Sequence, residues 1–131
     1  FRERAAKAGC LDDVRFVPYV PRHELVALYA GADLAVYPSQ IEGWGIPVTE
    51  ALALGTPIAT SNTSAMPEAG GEFATYFDPM STDAVADGLA RAIDALPQWP
   101  SRRQAAIERT RAFTWRLAAE RTLQAYREIA R

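Results

Sequence analysis

The hydrophobic and polar positions of the chain follow two periodicities. Four short apolar runs, bounded by Gly, Pro, Asp or Ser, have the length and composition of buried β-strands. Between and after these runs, apolar residues recur every three or four positions, which indicates amphipathic helices. Short strands that alternate with helices predict βαβ units, a parallel sheet and right-handed connections. The predicted strands cover residues 14–17, 33–37, 57–60 and 73–77.

Residues that start or stop helical turns bound the predicted helices. The chain opens on a helix that ends at Gly9, and Gly55 ends a later helix in the same left-handed manner. A capping box at Ser101 and a cap at Thr114 start two of the three predicted C-terminal helices. Because the first helix has no cap and no initiator Met, we expect the chain to be a piece of a longer protein. The other predicted helices cover residues 22–30 and 47–54, with a short helical turn at 67–70.

Composition narrows the classes of partner. The chain has 131 residues, of which 49% are hydrophobic, and this is enough for the core of one domain. A net charge of −2 gives no electrostatic reason to expect nucleic acid or an anionic membrane surface as a partner. With Cys10 the only cysteine and His23 the only histidine, no disulfide, metal site or Ser-His-Asp system is expected. The apolar runs are too short to span a membrane, so we expect a soluble, cytoplasmic domain that touches a membrane only through segments outside this chain.

The segment PSQIEGWGIPVTEALALGTP, residues 38–57, contains the strongest candidate chemistry. It places Glu42 and Glu50 with seven residues between them, on either side of a Gly-Trp-Gly-Ile-Pro turn. Ligands of open parallel sheets bind beyond the C-terminal ends of the strands. The loops at residues 18–21, 39–46 and 61–66 all follow strands at that edge, so we expect them to line one crevice.

The backbone of the turn suits an anion such as a diphosphate. Gly43 and Gly45 allow the backbone to approach a ligand closely. Pro47 suits the first position of a helix, where its missing N–H would be unpaired anyway. The N–H groups of Gly45, Ile46 and Val48 are then expected to be free and to point at the anion, helped by the helix dipole.

The two carboxylates suit the groups on either side of such a diphosphate. Glu50 has the reach to accept hydrogen bonds from a diol such as a ribose. Glu42 would lie near a sugar, where a carboxylate can hold hydroxyls and stabilise developing positive charge. Simpler interpretations stay open, because glutamate is common in the first turn of a helix for dipole reasons alone. Ser39 also fits a cap or a turn, and Trp44 fits a place in the core.

The stretch ADLAVYPSQIEGWGIPVTEALALGTPIATSN resembles the donor-binding segment of family 4 retaining glycosyltransferases of the GT-B fold. This group includes glycogen synthases and mannosyltransferases, and a Glu-x7-Glu block is part of its pattern. Trp44 stands where the family usually has Phe, and Ile58 where it usually has Val. Similar residues at 67–68, 78–79 and 113–115 extend the resemblance over nearly the whole chain.

The resemblance implies a role for each matching position. Glu42 would be the catalytic residue that holds the hydroxyls of the donor sugar, and Glu50 would bind the ribose. The backbone around Tyr19 and Val20 would meet the nucleobase. Enzymes of this family retain the anomeric configuration, and neither a tightly bound metal nor a cofactor is expected. The donor sugar and diphosphate would be contacted by Gly43, Trp44, Gly45 and Ile46.

The resemblance also implies that part of the fold lies outside the chain. The family's donor domain opens with two further βα units, whose Gly-rich turn and Arg/Lys pair hold the diphosphate. Their strands would lie between residues 14–17 and 33–37. We therefore expect a Rossmann-like parallel sheet with helices on both faces, an incomplete C-terminal GT-B domain spanning residues 1–131 and ending in three helices. The sheet should have a gap, be completed by a partner chain, or pack differently.

The expected function is the donor-binding part of a retaining glycosyltransferase. Such an enzyme moves a sugar from a nucleotide diphosphate sugar to an acceptor bound by an N-terminal domain, and the fragment alone should be inactive. A second possibility is another GT-B enzyme, such as an epimerase or a phosphorylase-like relative. The epimerases use catalytic carboxylates and a histidine, and this chain, whose only histidine is His23, cannot supply that set alone. A non-catalytic α/β interaction module also stays open.

Overall fold

Three short parallel strands form the sheet of the computed structural model, which describes residues 1–130. The strand order in the sheet, β1–β2–β3, follows the order in the sequence. Ile58 lies opposite Ala35 on one side and Ala74 on the other. The predicted parallel sheet, with helices between its strands, is therefore confirmed. The strands are β1 (Ala35–Tyr37), β2 (Ile58–Ser61) and β3 (Ala74–Phe77).

Helices form most of the remaining structure. The predicted helix stops at Gly9 and Gly55 are confirmed, because these glycines adopt φ angles of 71° and 76°. The three predicted C-terminal helices are also present. The helices are α1 (Arg2–Lys7), α2 (Arg22–Gly31), α3 (Ile46–Ala53), α4 (Met66–Gly70), α5 (Thr82–Asp94), α6 (Trp99–Thr110) and α7 (Trp115–Ile129).

The central strand β2 is buried along its whole length and packs on both faces. Side chains alternate across a strand, so neighbouring residues enter different layers. Ile58 packs in one cluster with Leu52 of α3. Ala59 packs in a second cluster with Phe77 of β3 and Ala92 of α5. Helices therefore cover both faces of the sheet, as predicted.

Helix α6 is anchored to the C-terminal ends of α3 and α4. Trp99 Nε1 donates a hydrogen bond to the carbonyl of Gly55 at 2.8 Å. Arg109 Nη2 donates to the carbonyl of Glu68 at 2.7 Å. The last carbonyls of a helix have no partner within it, and these side chains supply one. The anchoring holds α6, with its buried Ala106, against the cluster that contains Ile58.

The predicted strand at residues 14–17 is wrong, because this segment pairs with no strand among residues 1–130. Val14 is 40% exposed and Val17 is 49% exposed. A strand is stabilised by the hydrogen bonds of its ladder, and an extended segment without a neighbour has none. In the described part of the chain the sheet ends at β1.

The predicted capping box at Ser101 is also wrong. Helix α6 begins two residues earlier, at Trp99, and Ser101 Oγ donates to the carbonyl of Gln98 at 2.8 Å. Pro100 favours the earlier start, because its missing N–H needs no partner in the first turn. The cap at Thr114 is confirmed, since its hydroxyl accepts the amide of Leu117 at 3.1 Å.

The apolar stripe of α7 faces outward. Its periodicity is that of ordinary core material, yet no described residue of this helix is buried. Trp115, at its first position, is 88% exposed. The pattern predicts the helix and its apolar face correctly, but periodicity alone does not specify which surface such a face contacts.

We expect Gly88→Ala to destabilise the protein. A Cβ at Gly88 would lie 2.7 Å from the Cβ of Phe77 and 2.8 Å from its Cδ1. Phe77 is only 3% exposed and packs in one cluster with Ala92 of α5. Overpacking of this kind costs about 1–3 kcal/mol. Alanine's preference for a helix interior offsets up to about 1 kcal/mol of this cost. The free energy of unfolding, measured by urea denaturation with circular dichroism, should therefore fall by about 1–2 kcal/mol.

Gly31→Ala is the matched control. A Cβ there meets no atom within 4 Å, at the last residue of α2. Alanine favours helix over glycine, so this variant should be as stable as the parent chain or slightly more stable. Unchanged stability of Gly88→Ala would contradict the close packing of α5 on β3.

Candidate functional site

The candidate segment wraps around the N-terminus of α3. Gly45 caps this helix with a φ of 82°, a left-handed conformation that glycine adopts without strain. The amide of Val48 donates to the carbonyl of Gly45 at 2.9 Å, so the expectation that its N–H is free is wrong. This hydrogen bond closes the first turn of α3 and uses the Val48 amide. The amides of Gly45 and Ile46 donate to no other residue within 1–130, and the helix dipole favours an anion beside them.

Two hydroxyls hold the carboxylate of Glu42. The Tyr37 hydroxyl, at the end of β1, donates to Oε1 of Glu42. Ser39 Oγ donates to the same oxygen at 2.9 Å. Hydrogen bonds to the charged form stabilise it, so Tyr37 first and Ser39 second hold the pKa of Glu42 below its usual value. Any glutamate with an ordinary pKa is a carboxylate at neutral pH, and these two bonds extend the range over which Glu42 keeps its charge to lower pH.

Ser64 ties the backbone of Glu42 to the loop that follows β2. Its Oγ donates to the carbonyl of Glu42 at 2.6 Å and accepts the amide of Glu42 at 3.1 Å. Thr63 Oγ1 adds a bond to the carbonyl of Gln40 at 2.9 Å. Ser64 has a φ of 56°, a conformation uncommon for a residue other than glycine. The loops at 39–46 and 61–66 are therefore joined at one edge of the sheet.

A cleft of about 530 Å³ opens beside the N-terminus of α3. Its volume lies within the range of ordinary small-molecule sites. Glu50 and Glu68 contribute negative charge to its walls, and Arg22 and Arg121 contribute positive charge. The lining residues are Arg22, Trp44, Ile46, Thr49, Glu50, Glu68, Ala112, Phe113, Thr114, Trp115, Leu117, Ala118 and Arg121.

Glu50 connects the cleft to the core. Burial raises the pKa of Tyr29, and the negative charge of Glu50 raises it further. The Tyr29 phenol therefore stays neutral near Glu50. Thr56 Oγ1 donates to the carbonyl of Tyr29 at 2.7 Å, which fastens α2 to the segment before β2. Helix α2 therefore supports α3, the helix that carries Glu50 in the wall of the cleft.

Trp44 belongs to both the cleft and the core. Its ring meets that of Phe113 edge to face, with centroids 4.9 Å apart and an interplanar angle of 67°. It also packs against the cluster that contains Leu52. The contact joins the glycine turn to the junction of α6 and α7. The interpretation of Trp44 as a core residue and its place in a ligand cleft are therefore compatible.

Only some of the predicted site residues line the cleft. Trp44, Ile46 and Glu50 line it, whereas Glu42, Gly43 and Gly45 lie outside its lining. Tyr19 and Val20 also lie outside, and the side chain of Tyr19 is 94% exposed. The expectation of one crevice lined by all three loops is therefore wrong, because only the loop at 39–46 contributes residues to this cleft and the loops at 18–21 and 61–66 contribute none. Arg22, which directly follows the loop at 18–21, does reach the cleft.

Sequence reasoning missed three residues that shape the site. Tyr37 ends a strand and has the pattern of sheet core, and its hydroxyl bond to Glu42 is invisible in that pattern. Ser39 has the sequence pattern of a cap or a turn. Its position three residues before Glu42 is the available signal. Ser64 gives no such signal, because its contact spans 22 residues of sequence.

Residues 1–130 contain neither a candidate metal site nor a candidate membrane-spanning helix. No group of three or more His, Cys, Asp or Glu side chains is arranged to hold a metal ion. Nor is any described helix both long and apolar enough to cross a bilayer.

Known proteins resemble the chain in sequence along almost its full length. The family described as glycosyl transferases group 1 matches residues 1–113. O-antigen chain mannosyltransferase B of Escherichia coli is 33% identical over 129 residues, which cover 95% of this chain and 32% of that protein. A glycogen synthase of Mycobacterium tuberculosis is 35% identical over 127 residues, which cover 95% of this chain and 31% of that protein. The chain belongs to the group 1 glycosyltransferase family.

A solved structure shares the fold. Sucrose-phosphate synthase from Thermosynechococcus elongatus matches with a TM-score of 0.81 and 25% sequence identity, over 97% of this chain and 33% of that one. The GT-B type of α/β fold predicted from the sequence is thereby confirmed. The chain spans 31% to 32% of the length of the two relatives named above.

Two substitutions at Ser64 separate its hydrogen bonds from its backbone conformation. Ser64→Gly and Ser64→Ala both remove the bonds to Glu42, but only alanine must hold the left-handed conformation with a Cβ. That conformation costs a residue with a Cβ about 1–2 kcal/mol. We therefore expect Ser64→Ala to be less stable than Ser64→Gly by about 1 kcal/mol in urea denaturation. Equal stabilities would contradict the φ of residue 64.

Proposed function

We propose that residues 1–131 form the donor-binding part of a retaining glycosyltransferase, which moves a sugar from a nucleotide diphosphate sugar to an acceptor. One observation carries the proposal. In one continuous segment, the amides of Gly45 and Ile46, which donate to no residue within 1–130, lie between Glu42 and Glu50 in sequence, and Ile46 and Glu50 line a cleft of about 530 Å³ at the N-terminus of α3. Membership in the group 1 glycosyltransferase family supports it.

The diphosphate would bind at the N-terminus of α3. Phosphate oxygens are acceptors, and the amides of Gly45 and Ile46 are donors that no residue within 1–130 uses. The positive end of the helix dipole adds to the attraction. The same groups would stabilise the negative charge that grows on the diphosphate as the bond to the sugar breaks. Gly43 and Trp44, which belong to the same turn, would also contact the sugar and the diphosphate.

The ribose would bind at Glu50. An ionised carboxylate is an acceptor with two oxygens, and it can take a hydrogen bond from each hydroxyl of a diol. Glu50 lies in the cleft wall one turn into α3, close to the proposed diphosphate position. The nucleobase would then meet the backbone at Tyr19 and Val20, and the reach of Arg22 into the cleft supports this direction.

The donor sugar would lie near Glu42, on the other side of the diphosphate. Glu42 is ionised at neutral pH, as an ordinary glutamate is, and two hydroxyls stabilise this charged form further. A fixed negative charge there can accept bonds from sugar hydroxyls and stabilise the positive charge that develops at the anomeric carbon. We infer that this is its catalytic role, with retention of the anomeric configuration.

The rest of the enzyme would lie outside this chain. The acceptor would be bound by an N-terminal domain of the same protein, and further diphosphate contacts would come from the segment between the two. The greater length of the relatives supports this division. The reaction is expected to take place in the cytoplasm. Residues 1–131 alone should bind donor weakly and transfer no sugar, so measurable transfer by the isolated chain would refute this part of the proposal.

The two glutamates should affect different kinetic constants of the longer protein. Glu50→Gln should raise the donor KM about tenfold to a hundredfold, the effect of one or more lost hydrogen bonds to a charged group. Glu42→Gln should lower kcat about a hundredfold to a thousandfold, because its charge matters most in the transition state. Steady-state transfer rates with UDP-glucose, ADP-glucose and GDP-mannose as donors measure both constants.

Glu72→Gln is the matched control, since this exposed side chain lies outside the cleft. Its constants should equal those of the unchanged protein. Full activity of both Glu42→Gln and Glu50→Gln would sink the proposal and favour a non-catalytic interaction module. Binding of sugar nucleotides without any transfer to acceptors, but with epimerised product, would favour an epimerase.

A further inference from the structure

Two hydroxyls converge on one oxygen of Glu42 and leave the other oxygen free. Both Tyr37 and Ser39 donate to Oε1. Within residues 1–130, Oε2 receives no hydrogen bond. An ionised carboxylate offers about four acceptor positions, two on each oxygen. Because both donors bind Oε1, the two oxygens of Glu42 are no longer equivalent. Oε2 is therefore the oxygen that keeps its acceptor capacity for a ligand.

The donors themselves are held in place. The Tyr37 ring packs against the core cluster that contains Leu52, and this fixes where its hydroxyl lies. Ser39 follows Pro38, which restricts the backbone just after β1. Their common target is held as well, because Ser64 binds both the amide and the carbonyl of Glu42. Glu42 is therefore fixed at its backbone and at its carboxylate before any ligand arrives.

Such fixing has a consequence for binding. A free glutamate side chain loses rotamer freedom when a ligand orders it, and this loss weakens binding. A glutamate that is already ordered avoids most of the loss. Its contact with the ligand also keeps one geometry, which matters for a group that stabilises a transition state.

We propose that Tyr37 and Ser39 are positioning residues that present Oε2 of Glu42 to a hydroxyl of the donor sugar. This inference rests on the function proposed above. Neither residue touches the sugar, and both act through Glu42. The competing explanation is a structural tie that only stabilises the loop at 39–46. Tyr37→Phe separates the two explanations, because it removes one oxygen and keeps the ring that packs against the core.

The first measurement needs no ligand. The carboxyl carbon shift of Glu42, followed by NMR against pH in residues 1–131, reports its pKa. Tyr37→Phe and Ser39→Ala each remove a bond to the charged form, so the pKa of Glu42 should rise toward its usual value in each variant. Ser39→Thr keeps a hydroxyl and should restore the lower pKa. An unchanged pKa in both variants that lose a hydroxyl would overturn the inference.

The second measurement isolates the sugar contact. The longer protein is titrated with UDP-glucose, ADP-glucose and GDP-mannose and with UDP, ADP and GDP. The ratio of the two dissociation constants for each pair gives the preference for the sugar-bearing form. Tyr37→Phe and Ser39→Ala should each lower this preference about threefold to tenfold and leave the affinity for the bare diphosphate unchanged. Tyr126→Phe, an exposed residue of α7 outside the cleft, should change neither.

The outcomes distinguish this inference from the function on which it rests. If the unchanged protein binds none of the probes, the proposed function fails and the inference with it. If Glu42→Gln lowers the sugar preference while Tyr37→Phe and Ser39→Ala keep it, the function stands and the inference is overturned. If Tyr37→Phe does not fold, shown by loss of its circular dichroism signal, Ser39→Ala alone decides, since Ser39 lies in a loop outside the core.

Discussion

The burial of β2 on both faces is the constraint on which the rest of the structure depends. A parallel strand cannot close a tight hairpin with its neighbour, so each connection must cross the sheet and cover a face. Helices α3, α4 and α6 meet Ile58 on one side, and α5 meets Ala59 on the other. Because all three strands run the same way, their C-terminal ends lie at one edge. Every loop that carries candidate chemistry, apart from the one at 18–21, starts there.

This scaffold fixes the positions of the site residues. The glycine turn begins just after β1 and the Ser64 loop just after β2, so paired strands bring the two loops into hydrogen-bonding reach. The anchoring of α6 extends the support, since Trp99 reaches the end of α3 and Phe113 reaches Trp44. The carboxylate and the backbone of Glu42, at the edge of the sheet, are thus held by hydrogen bonds from β1, from its own loop and from the loop after β2. The arrangement suits electrostatic stabilisation, which requires charges that are ordered before the reaction.

Local chemistry explains what the sequence could and could not predict. Left-handed glycines at 9 and 55 and the cap at Thr114 depend on neighbouring residues, so the local sequence predicts them correctly. Residues 14–17 have strand-like composition, but a strand also requires a partner, and the local pattern says nothing about one. The candidate segment at 38–57 is predictable because its glycines, proline and carboxylates lie close together in sequence. Ser64 was missed because its contact with Glu42 depends on the pairing of β1 with β2.

The aromatic lining of the cleft has a spectroscopic consequence. The chain has three tryptophans, and two of them, Trp44 and Trp115, border the cleft, whereas Trp99 is committed to its bond with Gly55. Trp44 lies half-buried against Phe113, and Trp115 is open to solvent at the start of α7. Indole emission depends on local polarity, so the two rings should fluoresce at different wavelengths. The protein therefore carries an intrinsic optical probe at the place where a ligand would displace water.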